Sequence, residues 1–198
     1  MRRLPASNIN TKDFWDDQYL RRVYKDDYTR LVIVAQLVHN LKPKNVLDIG
    51  CGLGEIYGRL KISNTQCDYY GTDFSETAIK RCQETFNTFE GYPTSHWLIA
   101  EVNKQPFKDK EFDVVVACEV IEHMENPWDL IKEMKRVVKD DGHIIISTPR
   151  ELGVPSDEHL WYFTDDDMKE FFPDHKVLVV EKEILPRIII CQAQKLSS

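Results

Sequence analysis

The sequence predicts an α/β fold, a mostly parallel sheet with helices on both faces. Three observations predict it. Apolar residues alternate between strand-like runs and helix-spaced stripes for most of the length. Phe112–Cys118 is a continuous β-rich run, the pattern of a strand buried on both faces. A glycine-rich turn, Gly50-Cys51-Gly52-Leu53-Gly54, follows directly on the apolar run Val46–Ile49, at the strand end where open α/β sheets take their ligands. With 198 residues, 42% apolar and 30% charged, the chain has an ordinary globular composition. Residues 1–198 read as a single domain, with 1–28 an N-terminal arm or lid and 29–198 the core.

The elements follow in order. Residues 1–12 are polar and carry no period, so a loose arm is expected. Leu31, Val34, Ala35, Val38 and Leu41 recur at helical spacing, and Pro43 stops that helix. Val46–Ile49 is the first core strand, and its glycines open the next helix. A strand near Tyr69–Thr72 precedes a helix marked by Ala78, Ile79, Cys82 and Phe86. Trp97–Ala100 and Phe112–Cys118 are further strands. Leu130, Ile131, Met134, Val137 and Val138 form a helical stripe ending at Asp141-Gly142, and the strand Ile144–Ser147 follows. Thr164 is an N-cap with Asp165, Asp166 and Asp167 behind it, carboxylates that favour the positive end of a short helix to Phe172. Val177–Val180 and Ile188–Cys191 flank Leu185-Pro186 and would pair as an antiparallel edge.

Charge and cysteine usage exclude several classes. Net charge is −7 and the isoelectric point about 5.4, so phosphate-neutralising contact with nucleic acid is disfavoured. The five cysteines form no C-x-x-C pair, which excludes zinc ribbons and dithiol redox motifs. No apolar run approaches the ~18 residues of a membrane span. The basic start lacks a following apolar segment, so a cytoplasmic location is expected. The oligomeric state is left open.

The sharpest motif is Asp48-x-Gly50-x-Gly52-x-Gly54, with Asp73 following Gly54 by 19 residues at the end of the second core strand. Glycine turns also serve tight packing alone. A carboxylate at that second position is what ribose hydroxyls require. Glu55 stands where a dinucleotide loop wants its third glycine, and no Gly-Lys-Ser/Thr is present. An acid before the first glycine repels a pyrophosphate and suits a ligand carrying an ammonium and a sulfonium, as S-adenosylmethionine (SAM) does.

A second constellation, Glu119-x-x-Glu122-His123, follows the strand Phe112–Cys118, and His159 lies in a loop after the next strand. Two carboxylates and an imidazole in five residues fit a hard-metal site or an acid/base cluster. They equally fit carboxylates capping the next helix beside a packed histidine. The aromatic stretches Phe14–Tyr19, with Tyr24 and Tyr28, and His159–Phe163 read as core or as walls of an acceptor pocket.

The segments VLDIGCGLG (46–54), YYGTDFSETAIK (69–80), AEVNKQPFKDKEFDVVVACEVIEHM (100–124) and LIKEMKRVVKDDGHIIISTP (130–149) together resemble the class I SAM-dependent methyltransferases over nearly the whole chain. The resemblance implies a Rossmann-like seven-stranded sheet of order 3-2-1-4-5-7-6 with strand 7 antiparallel. It implies a SAM site in which Gly50 and Gly52 pass the methionine part with Asp48 nearby, and Cys51, Gly54 and Cys118 also bind the cofactor. Asp73 would hold the ribose, Phe74 would lie on the adenine, and Glu101 with Val102 would meet its edge, although Asp is more usual than Glu101. Asp140-Asp141-Gly142 departs from the family's Pro-Gly-Gly. Glu-Val-Ile-Glu-His-Met is similar to ubiquinone-pathway catechol O-methyltransferases and small-RNA 2′-O-methyltransferases, which implies a divalent ion (Mg²⁺, Mn²⁺ or Zn²⁺) on Glu119, Glu122, His123 and His159. The expected activity is methyl transfer from SAM to a hydroxyl of a small-molecule acceptor, a metal-chelated vicinal diol or catechol being one class. Glu119, Glu122 and His123 would carry the chemistry. The alternatives are metal-free N- or O-methylation of an amine or sugar with His123 as base, and a non-catalytic SAM-binding regulator.

Overall fold

The computed structural model describes residues 1–4, 6–21, 28–86, 94–150, 156–180 and 185–195. A two-residue strand β1 (Arg2–Arg3) and helices α1 (Lys12–Arg21) and α2 (Tyr28–Leu41) precede β2 (Asn45–Ile49). Then come α3 (Glu55–Ile62), β3 (Asp68–Asp73), α4 (Glu76–Phe86), β4 (Ser95–Ile99) and β5 (Phe112–Cys118). A 3₁₀ turn at Ile121–His123 leads to α5 (Pro127–Val137), β6 (Val138–Pro149), β7 (Trp161–Tyr162), α6 (Asp165–Phe171), β8 (His175–Val179) and β9 (Ile188–Lys195).

The central sheet has the order β4-β3-β2-β5-β6-β9-β8. Counting only its own strands, this is 3-2-1-4-5-7-6, the order that the resemblance implies. The ladders from β4 to β6 are parallel, while β9 runs antiparallel to β6 and β8. The chain leaves β2 toward β3 and β4, then returns to β5 on the other side, which opens a crevice at the carboxyl ends of β2 and β5.

Side chains of β5 explain why that strand reads as continuously apolar. Val114 and Val116 pack on one face with α2, α3 and α4, through Val34, Leu60 and Ile79. Val115 and Ala117 pack on the other with α5 and α6, through Leu130, Met134 and Phe171. Alternation along one strand therefore fills two separate cores.

Two expectations need correction, and one helix was not anticipated. The arm is docked: β1 pairs antiparallel with β7, and the Leu4 N–H donates to the Leu160 carbonyl at 2.9 Å. Residues 12–21 form a helix whose charge-rich sequence hides its period; only Tyr19 in it is buried. Asp16 ties α1 to α4 by accepting from the Ser75 hydroxyl and, at 3.1 Å, from the Thr77 N–H. Strand β6 begins at Val138, so Asp140-Asp141-Gly142 lies within it. A Cβ at Gly142 would stand 2.8 Å from the Asp113 carbonyl, so the close approach to β5 requires glycine. The Thr164 cap is present as a capping box with Asp167. Tyr24 and residues 151–155 lie outside the described residues. Among the described residues, no helix is long and apolar enough to cross a membrane.

Candidate active site

The glycine turn after β2 is fastened to β3 and β4 before it meets any ligand. Gly50 and Cys51 N–H groups donate to the Thr72 carbonyl at 2.8 and 2.9 Å. Gly54 has a φ of 76°, and a Cβ there would lie 2.7 Å from the Phe86 ring and 2.9 Å from Trp97. Left-handed strain and overpacking together make Gly54→Ala an expected loss of about 2–4 kcal/mol, read by urea unfolding. A loss under about 1 kcal/mol would show that α4 and β4 yield easily.

At the carboxyl end of the sheet lies a cavity of about 470 Å³. Asp48, Gly50, Cys51, Gly52, Asp73, Phe74, Glu101, Val102 and Cys118 all line it, whereas Gly54 is not on its wall. The Asp73 carboxylate accepts from Gly52 N–H at 3.0 Å and Ser75 N–H at 2.9 Å. The Tyr19 side chain also hydrogen-bonds this carboxylate, so ligand hydroxyls would share its acceptor sites with Tyr19. Burial pushes Asp73 up to about 6, against the pull of those amides. Asp48 accepts the Tyr69 hydroxyl on Oδ2, while its Oδ1 has no partner among the described residues. Burial raises Asp48 to about 7, the Tyr69 bond opposes this, and the carboxylates of Glu55 and Asp73 add to the rise. A buried, unsatisfied carboxylate oxygen on a cavity wall suits a ligand ammonium.

The other half of the cavity is built by the segment after β5. Glu119 has a φ of 54°, a strained position for a side chain of its size. Its Oε1 accepts from the Ser147 hydroxyl at 3.0 Å and meets Arg30 Nη1 of α2 at 3.1 Å. Glu122 is fully buried in the 3₁₀ turn. Its Oε2 accepts from the Thr148 hydroxyl at 3.0 Å, its Oε1 has no hydrogen-bond partner among the described residues, and burial followed by the Glu119 charge raises its pKa well above the usual range.

His123 Nδ1 lies 3.0 Å from the Glu158 carbonyl. A carbonyl only accepts, so that nitrogen carries a proton, and Nε2 lies 3.9 Å from Glu122 Oε1. The His159 ring stands 5.0 Å from that of His123, and burial lowers its pKa. The Trp15 ring meets His123 edge-on at 4.9 Å.

Ligand atoms of Glu122, His123 and His159 all lie within 4.8 Å of one another. The expected fourth member, Glu119, is not in this group; its Oε1 contacts Arg30 and Ser147. The capping alternative does not describe this turn either, since the Asn126 side chain caps α5. Of the aromatic stretches, Trp15 and Tyr19 line the cavity, while Leu160, Tyr162 and Phe163 are core. Sequence reading missed Asn8, Asn10, Arg30 and Glu158 on the cavity wall. None of them sits in a motif, and only the packing of the arm, of α2 and of the segment before β7 over the sheet reveals them.

Residues 47–146, half of the chain, match the sequence family described as "Methyltransferase domain". The chain belongs to the class I SAM-dependent methyltransferases. This methyltransferase chain is 29% identical over 122 residues to a malonyl-[acyl-carrier protein] O-methyltransferase of Marinomonas, covering 61% of this chain and 44% of that one. It is 33% identical over 144 residues to the chloroplastic tocopherol O-methyltransferase of Arabidopsis thaliana, covering 73% and 41% respectively. The matches thus span less than half the length of these curated relatives. A SAM-dependent methyltransferase structure from Aquifex aeolicus has the same fold, with a TM-score of 0.68 at 21% identity over 94% of this chain and 99% of that one. So does the [4+2]-cyclase SpnF, with a TM-score of 0.71 at 16% identity over 90% and 84%. The methyltransferase fold alone therefore does not name a reaction.

Proposed function

We propose that the chain transfers the methyl group of SAM to a hydroxyl oxygen of a small, uncharged polar acceptor. The observation that carries this reading is that Glu122, His123 and His159 converge on the same cavity as the Asp48–Asp73 loop. A SAM-binding regulator without catalysis needs no such cluster. Among the described residues, eight carboxyl side chains line the cavity against one guanidinium, Arg30, already paired with Glu119. That field favours a cationic cofactor and repels phosphodiesters and carboxylate acceptors, which supports a small neutral partner over nucleic acid.

Bound SAM supplies an electrophilic methyl on a sulfonium. The unpaired Oδ1 of Asp48 would accept from its ammonium, and Asp73 from its ribose hydroxyls. His123 Nε2 would take the proton of the acceptor hydroxyl, while the Nδ1–H bond to the Glu158 carbonyl holds the ring. Glu122 would steady the imidazolium. Trp15 and Tyr19 exclude water from the wall they form, which strengthens each of these contacts.

The same three side chains also fit a divalent ion. Glu122 Oε1 and His159 Nδ1 are both buried without a hydrogen-bond partner among the described residues, and burial favours the neutral, ligating form of His159. Glu122, His123 and His159 would hold Mg²⁺, Mn²⁺ or Zn²⁺, the two imidazoles suiting Zn²⁺ and the carboxylate the harder pair. An ion there would lower the pKa of an acceptor hydroxyl.

Metal-stripped protein saturated with S-adenosylhomocysteine (SAH) should be titrated with each ion in a thermal-shift assay, with Glu122→Ala alongside. A melting temperature that rises with metal, and not in the variant, supports the ion. A flat response leaves His123 as the base. SAM turnover across catechol, diol, alcohol and amine probes tests the reading itself, and turnover confined to amines would refute it.

A further inference from the structure

The wall formed by Glu101, Val102 and Asn103 spans the gap between β4 and β5, and it is held from behind by a side chain outside the cavity. Gln105 is buried, 5% exposed. Its Nε2 donates to the Glu101 carbonyl at 2.9 Å, which also accepts from the Lys104 N–H at 3.1 Å. Because a carbonyl only accepts, the amide orientation is determined. Its Oε1 has no partner among the described residues, so the bond to Glu101 is what the amide contributes here.

The position of Gln105 is set in turn by α5. Its N–H donates to Glu133 Oε1 at 2.7 Å. Arg136 clasps Glu133 through Nε at 2.9 Å and Nη2 at 2.6 Å. The same guanidinium donates to the carbonyls of Gln105 at 3.2 Å and Phe107 at 2.8 Å. A bidentate pair is geometrically rigid, and Gln105 passes that rigidity to Glu101. The other side of the wall is tied to the ribose carboxylate's own strand, since the Ala100 N–H donates to the Asp73 carbonyl at 3.0 Å.

We propose that Gln105 is a positioning residue for the base end of SAM, acting by clamping the Glu101 carbonyl and so fixing the Glu101–Asn103 wall. This rests on the reading that SAM lies in the cavity with its adenine on that wall. Gln105 touches no ligand itself. An apolar residue of the same length would fill its space and leave Glu101 held by Lys104 alone.

Calorimetric titration with two ligands tests it: SAH, and S-ribosylhomocysteine, which lacks the base. In Gln105→Met, SAH binding is expected to weaken roughly tenfold, the size of effect of one well-placed hydrogen bond. S-ribosylhomocysteine affinity should stay within about twofold of wild type. Gln105→Asn, one methylene too short to reach Glu101, should show the same selective loss and guards against a folding defect in the first variant. Unchanged SAH affinity in both variants overturns the proposal. So does an equal loss for both ligands, because a merely structural role would move both. Wild-type protein that binds the two ligands equally refutes the underlying placement of the base, an outcome distinct from failure of the clamp.

Discussion

Replacing His123 with alanine is expected to lower SAM turnover by about two to four orders of magnitude, the usual contribution of a positioned general base. SAH affinity should change by no more than about twofold, because the group acts on the acceptor and not on the bound cofactor. The expectation rests on three contacts that leave the ring one orientation. The Glu158 carbonyl takes the Nδ1 proton, Trp15 packs edge-on against the ring, and Nε2 faces the buried Glu122. The measurement is kcat with any hydroxyl acceptor that turns over, beside a thermal melt to exclude unfolding. Activity above about a tenth of wild type would remove His123 from both the base and the metal-ligand role.

Asp73→Ala is expected to weaken SAH at least about a hundredfold, since two hydroxyl bonds to a charged oxygen are lost together. The loop also loses its tie, because the same carboxylate holds the Gly52 and Ser75 amides. The pH dependence should be as characteristic as the mutation. Burial holds Asp73 near 6 and Asp48 near 7, both above the unfolded value, so the empty protein binds protons that the unfolded chain has released. Its stability should therefore be greatest at mildly acid pH and fall as pH rises from about 4 through 7. Ligand hydroxyls and an ammonium favour the ionised carboxylates, so SAH affinity should run the other way, weakening as pH falls below 7. Thermal melts at pH 5 to 8, with and without SAH, read both slopes, and SAH affinity increasing toward acid pH would contradict this account of the site.

The fold was legible because its signals are local. The two-faced burial of β5, the helical stripe of α5 and the capping box at Thr164 each sit within a short stretch of chain. Helix α1 was not legible, since Phe14, Trp15 and Tyr19 stand among charged residues and acquire an inner face only against α4. The start of β6 was misjudged because Val138 continues the apolar stripe of α5, while its pairing with Phe112 places it in the sheet.

For the site, sequence alone determined the glycine loop, its acidic partners Asp48 and Asp73, and the identity of the Glu119–His123 cluster. These lie at strand ends, where register with the neighbouring strand fixes their position. Only the tertiary structure shows which of the clustered side chains lie together. Arg30 of α2 pairs with Glu119, which lies outside the group, and a loop far along the chain brings His159 beside His123 and the Glu158 carbonyl against it. Spacing along the chain specifies which residues share a turn. What a buried carboxylate finds as its counter-charge depends on helices packed from elsewhere, and in a low-dielectric interior that partner decides whether it is paired, protonated or left open for a ligand.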